Sequence, residues 1–176
     1  LHSFPTRRSS DLYRFLLDFD VYLWEPGTER VVFRHPEIPF STPICFEDSF
    51  PGEVRKFVDA GAWAIINISN DFWSLTEAEA EQHLSNALFR AVENRCPLLR
   101  ASASGVTCHV DSAGRILERL PCYTEGYILC TVPVREPPLT LYRRWGDWFP
   151  WLCGFVVILT CAIYASRKIR VKGFHR

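Results

Sequence analysis

Cys45 offers the most chemistry in this chain because of what flanks it. It sits in Pro43-Ile44-Cys45-Phe46-Glu47-Asp48, with apolar residues before it and two carboxylates after it. A second apolar run, residues 63–68, closes on the polar cluster Ser69-Asn70-Asp71, followed by Phe72-Trp73. A thiol becomes a nucleophile once its proton is taken. Cysteine is also a common buried small hydrophobe, so position has to decide between the two uses. Cys45 falls where a strand should stop, and carboxylates are poor core fillers. Negative charge beside a thiol opposes its ionisation, so a nucleophilic Cys45 needs a base or a lysine from elsewhere.

The elements around it follow from periodicity. Residues 40–45 read as a strand. Residues 51–60 carry Val54, Phe57 and Val58 at helical spacing with charges between them, an amphipathic helix. Residues 63–68 read as a second strand. Strand, helix, strand is the βαβ unit, which places both strand ends on one edge of a parallel sheet. Open α/β sheets build their sites on that edge. Cys45 and Asn70-Asp71 are therefore expected side by side, and N–H groups of the following helix can meet a developing anion there.

Further along, residues 84–93 recur on one helical face, and Glu77, Glu79 and Glu81 suit the first turn of that helix as solvated charges. They are read as such and not as a metal site. Residues 97–101 are a core strand in which Arg100 needs a carboxylate partner. Residues 105–110 and 115–120 make a hairpin about Asp111-Ser112-Ala113-Gly114. Residues 31–33 and 127–133 are expected as two further strands. His35 and Lys56 are read as surface residues. The net charge of zero gives no basic face, which argues against nucleic acid as a partner. Seven cysteines without a CxxC indicate neither a zinc site nor a disulfide framework. No metal and no cofactor are expected.

These motifs, together with the Gly61-Ala62 turn, Gln82-His83-Leu84, Arg90-Ala91-x-Glu93-Asn94 and Pro97-Leu98-Leu99-Arg100-Ala101, resemble the nitrilase (carbon–nitrogen hydrolase) superfamily. Arg144-Trp145-Gly146-Asp147-Trp148, followed by an apolar helix, resembles the apolipoprotein N-acyltransferases within it. The resemblance runs over residues 40–166. It implies an α/β fold, the α-β-β-α sandwich, present here in part over residues 13–140. It also implies that Cys45 is the catalytic nucleophile. The Phe46 N–H would help hold the oxyanion, Glu47 would shape the pocket, Asn70, Asp71 and Trp73 would line its rim, and His83 would hold a loop near the site.

The tail carries a second signal. Residues 148–166 are 19 in a row without a charge, close to the ~20 that span a bilayer. Trp145, Trp148 and Trp151 mark one end as an aromatic belt. Basic residues without an acid fill 167–176, which places that end in the cytoplasm and the globular part outside. A transmembrane helix in a bacterial inner membrane is the expectation. Residues 2–12 (HSFPTRRSSDL) resemble the translation of a sequencing adapter and cannot serve as a signal peptide. They are expected to be foreign, and the chain to be the C-terminal part of a longer protein.

The resemblance implies transfer of a fatty acyl chain from a phospholipid donor to the N-terminal amine of a lipoprotein acceptor through a Cys45 thioester. The superfamily's glutamate and lysine precede the matched region, and no residue of 13–40 fits them. The polypeptide by itself is therefore expected to be inactive. Two other readings stay open: an amidase of small amides, and a degenerate membrane-tethered binding domain.

Overall fold

The computed structural model describes the backbone of residues 27–173 and the side chains of residues 27–164. The foreign-looking 2–12, the stretch 13–26 that opens the expected partial domain and the basic side chains of 167–176 lie outside the described residues. The chain divides into two units, residues 1–138 and 139–176.

The first unit is built on one five-stranded sheet: β1 (Phe40–Ser41), β2 (Ala64–Ser69), β3 (Leu98–Ser102), β4 (Thr107–Val110) and β5 (Ile116–Leu120), adjacent in that order. β1, β2 and β3 run parallel, while β3–β4 and β4–β5 are antiparallel. The fold is α/β with a mixed sheet. The parallel half needs crossovers, and two helices supply them.

Helix α1 (Pro51–Asp59) starts with Pro at its first positions, where a missing N–H is harmless. Helix α2 (Glu77–Asn94) is capped by Thr76, whose Oγ1 accepts from Glu79 N, and carries Glu77 and Glu79 in its first turn. Both helices bury one stripe. Val54 and Val58 of α1 meet Leu84, Ala87 and Ala91 of α2 over Ile65, Leu98, Cys108 and Val110 of the sheet. On that face β2 reads Ile65, Asn67, Ser69 and β3 reads Leu98, Arg100, Ser102, in register. The pattern is apolar where the strands start and polar where they end, so the core gives way to a polar site at the carboxyl edge.

Three expected strands are shorter or missing. Over 40–45 only Phe40–Ser41 pairs fully, and Ile44 makes an isolated bridge to Ile68. Pro43 has no N–H to give the ladder, and Cys45 turns the chain away. Residues 31–33 form no strand, only a bridge from Phe33 to Phe40, with the two rings stacked 5.1 Å apart. Residues 127–133 alternate as a strand should but pair with nothing among the described residues. A strand without a partner leaves its backbone unpaired, and Tyr127 and Leu129 stand 81% exposed. The second sheet of the expected sandwich is likewise not formed among the described residues.

The second unit holds a short helix α3 (Leu141–Trp145), capped by Thr140, and the long helix α4 (Trp148–Gly173). Trp145, Trp148 and Phe149 stack edge to face. Described side chains of α4 such as Trp151, Phe155 and Ile158 are exposed. Among the described residues no helix is long and apolar enough to cross a membrane. Residues 165–166 of the expected span fall beyond the described side chains.

Candidate active site

Cys45 opens a short 3-10 helix, Cys45–Ser49, and does so in the left-handed region with φ 51°. An L-residue rarely adopts that conformation, and where it does the surroundings have to impose it. Here they do. Asn67 Nδ2 donates to the Cys45 carbonyl at 2.9 Å and to the Pro43 carbonyl at 3.2 Å. Glu47 Oε2 accepts from Ile44 N at 2.8 Å, and Glu47 N donates back to the Ile44 carbonyl at 3.1 Å. The turn is pinned on both sides of the thiol. Cys45 itself is half-buried, with Ser69 Oγ 3.4 Å from its sulfur.

Behind the turn lies a buried network of four ionisable groups. Arg100 Nη1 donates to Asp48 Oδ2 at 2.6 Å, and its Nη2 donates to Asp71 Oδ2 at 3.1 Å. His83 Nε2 lies 3.0 Å from Asp48 Oδ1, and its Nδ1 lies 3.0 Å from Asp71 Oδ1. All four side chains are at most 1% exposed. Burial alone would lower the His83 pKa, but its hydrogen bonds to Asp48 and Asp71 outweigh that and the opposing Arg100 charge, raising it to about 9. Burial pushes Asp71 up, yet bonds from His83 and Ser69 and the Arg100 guanidinium prevail, holding its carboxyl well below the usual range. Two acids and two cations then cancel. Such a network tolerates burial because every charge is paired.

The family resemblance implies a place for Asp71 on the pocket rim. It is buried instead, 2% exposed, because Arg100 and His83 draw its carboxylate inward. Asp48 is fully buried as well. The general expectation that carboxylates shun cores fails there for the same reason. Asn70 and Trp73 do face outward, Trp73 at 70% exposure. The Asn70 Oδ1 is committed to shaping its own loop, accepting from Phe72 N at 3.1 Å and from Ser104 Oγ at 2.9 Å. Phe46 is 41% exposed, its ring 5.3 Å from the His83 imidazole. Glu47 borders an apolar cavity of about 590 Å³ with Val31, Phe33, Ile44, Phe57 and Ile68.

Asn67 and Ser69 carry roles that the sequence alone did not assign to them. The signal for them was parity: both share the inward face of β2 with Ile65, and a polar residue there must bond to something. Arg90 also has a plain role, as its Nη1 donates to the Ser49 carbonyl at 3.3 Å and ties the end of the Cys45 turn to α2. Lys56 bonds Glu53 on the surface, and His35 Nδ1 accepts from Glu37 N.

Asp71, Glu79 and His83 bring potential ligand atoms within 4.8 Å of one another. Both ring nitrogens of His83 are engaged by carboxylates, however, and Arg100 Nη2 stands 2.7 Å from Nδ1. A metal ion would meet a fixed positive charge there, so the donor set does not suit one.

The mixed α/β sheet and the cysteine at its carboxyl edge lie within a stretch of sequence that one protein family accounts for. The family model for carbon–nitrogen hydrolases matches residues 5–136, and the chain belongs to that family. Relatives that the chain matches include apolipoprotein N-acyltransferases. Apolipoprotein N-acyltransferase 1 of Treponema denticola is 41% identical over 160 residues, covering 90% of this chain and 29% of the relative. Apolipoprotein N-acyltransferase 1 of Treponema pallidum is 43% identical over 145 residues, covering 82% and 27%. The enzyme of Thermotoga maritima is 34% identical over 170 residues, covering 96% and 33%. The chain spans a third or less of the length of these relatives.

Proposed function

We propose that the chain carries the nucleophile-bearing part of an apolipoprotein N-acyltransferase of a bacterial inner membrane. The observation that carries this reading is Cys45 itself, held at φ 51° on the sheet's carboxyl edge by Asn67, with its sulfur turned to Ser69. In the first half-reaction the Cys45 sulfur, deprotonated by a base, adds to an ester carbonyl of the phospholipid donor. The tetrahedral centre collapses, the carbon–oxygen bond breaks, and the lysophospholipid leaves as an alcohol with the proton the base held. The acyl chain is now a thioester on Cys45. In the second half-reaction the lipoprotein's N-terminal amine attacks that thioester. An amide forms, and the amine's proton returns to the sulfur.

The Phe46 N–H, next in the chain, is assigned to the oxyanion in both steps. Glu47 holds the turn open, and Asn70 with Trp73 forms the outer rim. The base and the lysine are assigned to the upstream part of the protein, where the superfamily carries them. Helix α4, with its apolar stretch at 148–166 and the Trp145, Trp148, Trp151 belt, is assigned as the anchor that keeps the site at the lipid surface, the globular unit outside and residues 167–176 in the cytoplasm.

The test is a graft. Residues 13–176 replace the matching C-terminal part of the Treponema denticola relative, and membranes carrying the graft receive labelled phospholipid. The expected result is label on Cys45, released by neutral hydroxylamine as a thioester is, and none with Cys45→Ala. Acceptor acylation that persists in Cys45→Ala contradicts the reading.

A further inference from the structure

Ser69 ends β2, and its hydroxyl stands between two groups: Cys45 Sγ at 3.4 Å and Asp71 Oδ1 at 2.7 Å. A hydroxyl has one proton and two lone pairs. Asp71 is an ionised, buried carboxylate fixed by His83 and Arg100, and an O–H bonded to a carboxylate oxygen is the stronger, charge-assisted kind of contact. The proton of Ser69 therefore goes to Asp71. Arg100 Nη2, 3.5 Å from the same Oγ, adds a donor on that side. What Ser69 turns toward Cys45 is a lone pair, and only an S–H completes that contact. Because Asp48 and Asp71 are matched by His83 and Arg100, the network brings little net charge to the sulfur. The hydrogen bond is its handle on the thiol.

We infer that Ser69 is a positioning residue for the Cys45 thiol: its acceptor lone pair fixes the direction of the S–H and keeps the sulfur capped until the reaction's base removes the proton. The inference deepens the proposed function and rests on its reading of Cys45 as the nucleophile. It gives the buried network a purpose beyond stability, since Asp71 sets which way the Ser69 hydroxyl points and Arg100 and His83 set Asp71.

The test is site-resolved alkylation of the folded chain by iodoacetamide at neutral pH, read by peptide mass spectrometry, for the wild type, Ser69→Ala and Ser69→Thr. Loss of one hydrogen bond on the thiol speeds Cys45 labelling in Ser69→Ala by roughly 2- to 10-fold. Ser69→Thr returns the rate to the wild-type value. Cys108, 2% exposed in the core, stays unlabelled throughout. An unchanged or slower rate in Ser69→Ala overturns the inference, as does a Ser69→Thr that labels like Ser69→Ala. If Ser69→Ala loosens the sheet and Cys108 labels too, Ser69→Thr against Ser69→Val asks the same question at matched shape. Val labelling faster than Thr supports the inference, and equal rates overturn it. A Cys45 that is unreachable in every folded form, yet labels on denaturation, removes the nucleophile reading and the Ser69 inference together.

Discussion

Arg100 and Asp48 are bonded at 2.6 Å across 52 residues of sequence, both with fully buried side chains. Through that bond β3 grips the turn that begins at Cys45. The same guanidinium reaches Asp71 at the end of β2, so one cation ties together three segments that meet at the sheet's carboxyl edge. The geometry of the thiol is set from beneath, by charge pairing inside the fold.

Arg100→Met should therefore damage the fold and the site together. It leaves Asp48 and Asp71 with His83 as their remaining cation, and removing one partner of a buried pair costs about 3–5 kcal/mol. The urea midpoint should fall accordingly. A variant as stable as the wild type would show that the network is not a stability element.

Stability should depend on pH in a defined window. His83 is raised from 6.5 to about 9 in the fold, so its contribution is complete below about pH 6.5 and is lost as pH rises through about 9. The loss is of the order of 3 kcal/mol for a shift of that size. Asp71 is depressed, so its contribution is present above its ordinary value near 3.8 and fades as pH falls below it. Urea unfolding across this range should show a plateau between the two limbs. In His83→Gln the alkaline limb should be gone; an unchanged alkaline limb would assign it to other groups.

Gly105→Ala should be far more harmful than a surface alanine. A Cβ at Gly105 collides with the Asp71 carboxylate and crowds Ser102 Oγ, which already accepts from Gly105 N at 2.9 Å. Overpacking of this kind costs about 1–3 kcal/mol. Gly52→Ala, with open space around its position, is the control and should leave the midpoint in place.

Much of this is legible in the sequence. Helix α1, helix α2, strands β2 and β3 and the β4–β5 hairpin all follow from the sequence: the helices and inner strands bury apolar positions, while the hairpin, whose β5 is largely exposed, is marked by its Asp111-Ser112-Ala113-Gly114 turn. That the Cys45 turn and the end of β2 meet at one sheet edge followed from βαβ topology, although the residue against the thiol is Ser69, 3.4 Å from its sulfur. What could not be read was direction. Asp71 turns inward and Asn70 outward, although they are adjacent and similar in size, because the pull on Asp71 comes from Arg100 and His83, 29 and 12 residues away. The strand expected at 127–133 is not formed among the described residues: alternation shows that a segment can pair, and pairing also depends on a neighbouring strand that the segment's own residues do not reveal.

The anchor reading gives its own expectation. The full chain, expressed in a bacterium, should stay with the membrane through a carbonate wash, and a chain ending at Pro138 should be released. Release of the full chain by the wash would detach the site from the lipid surface and leave α4 without the role assigned to it.

The most direct measurement is the mass of the Cys45 peptide after the graft meets phospholipid in the absence of any lipoprotein acceptor. Acyl transfer through this thiol leaves one fatty acyl group on Cys45, lost on adding neutral hydroxylamine or an acceptor with a free N-terminal amine. A graft that acylates acceptor while Cys45 never carries an acyl group, or does so with alanine at Cys45, contradicts the account.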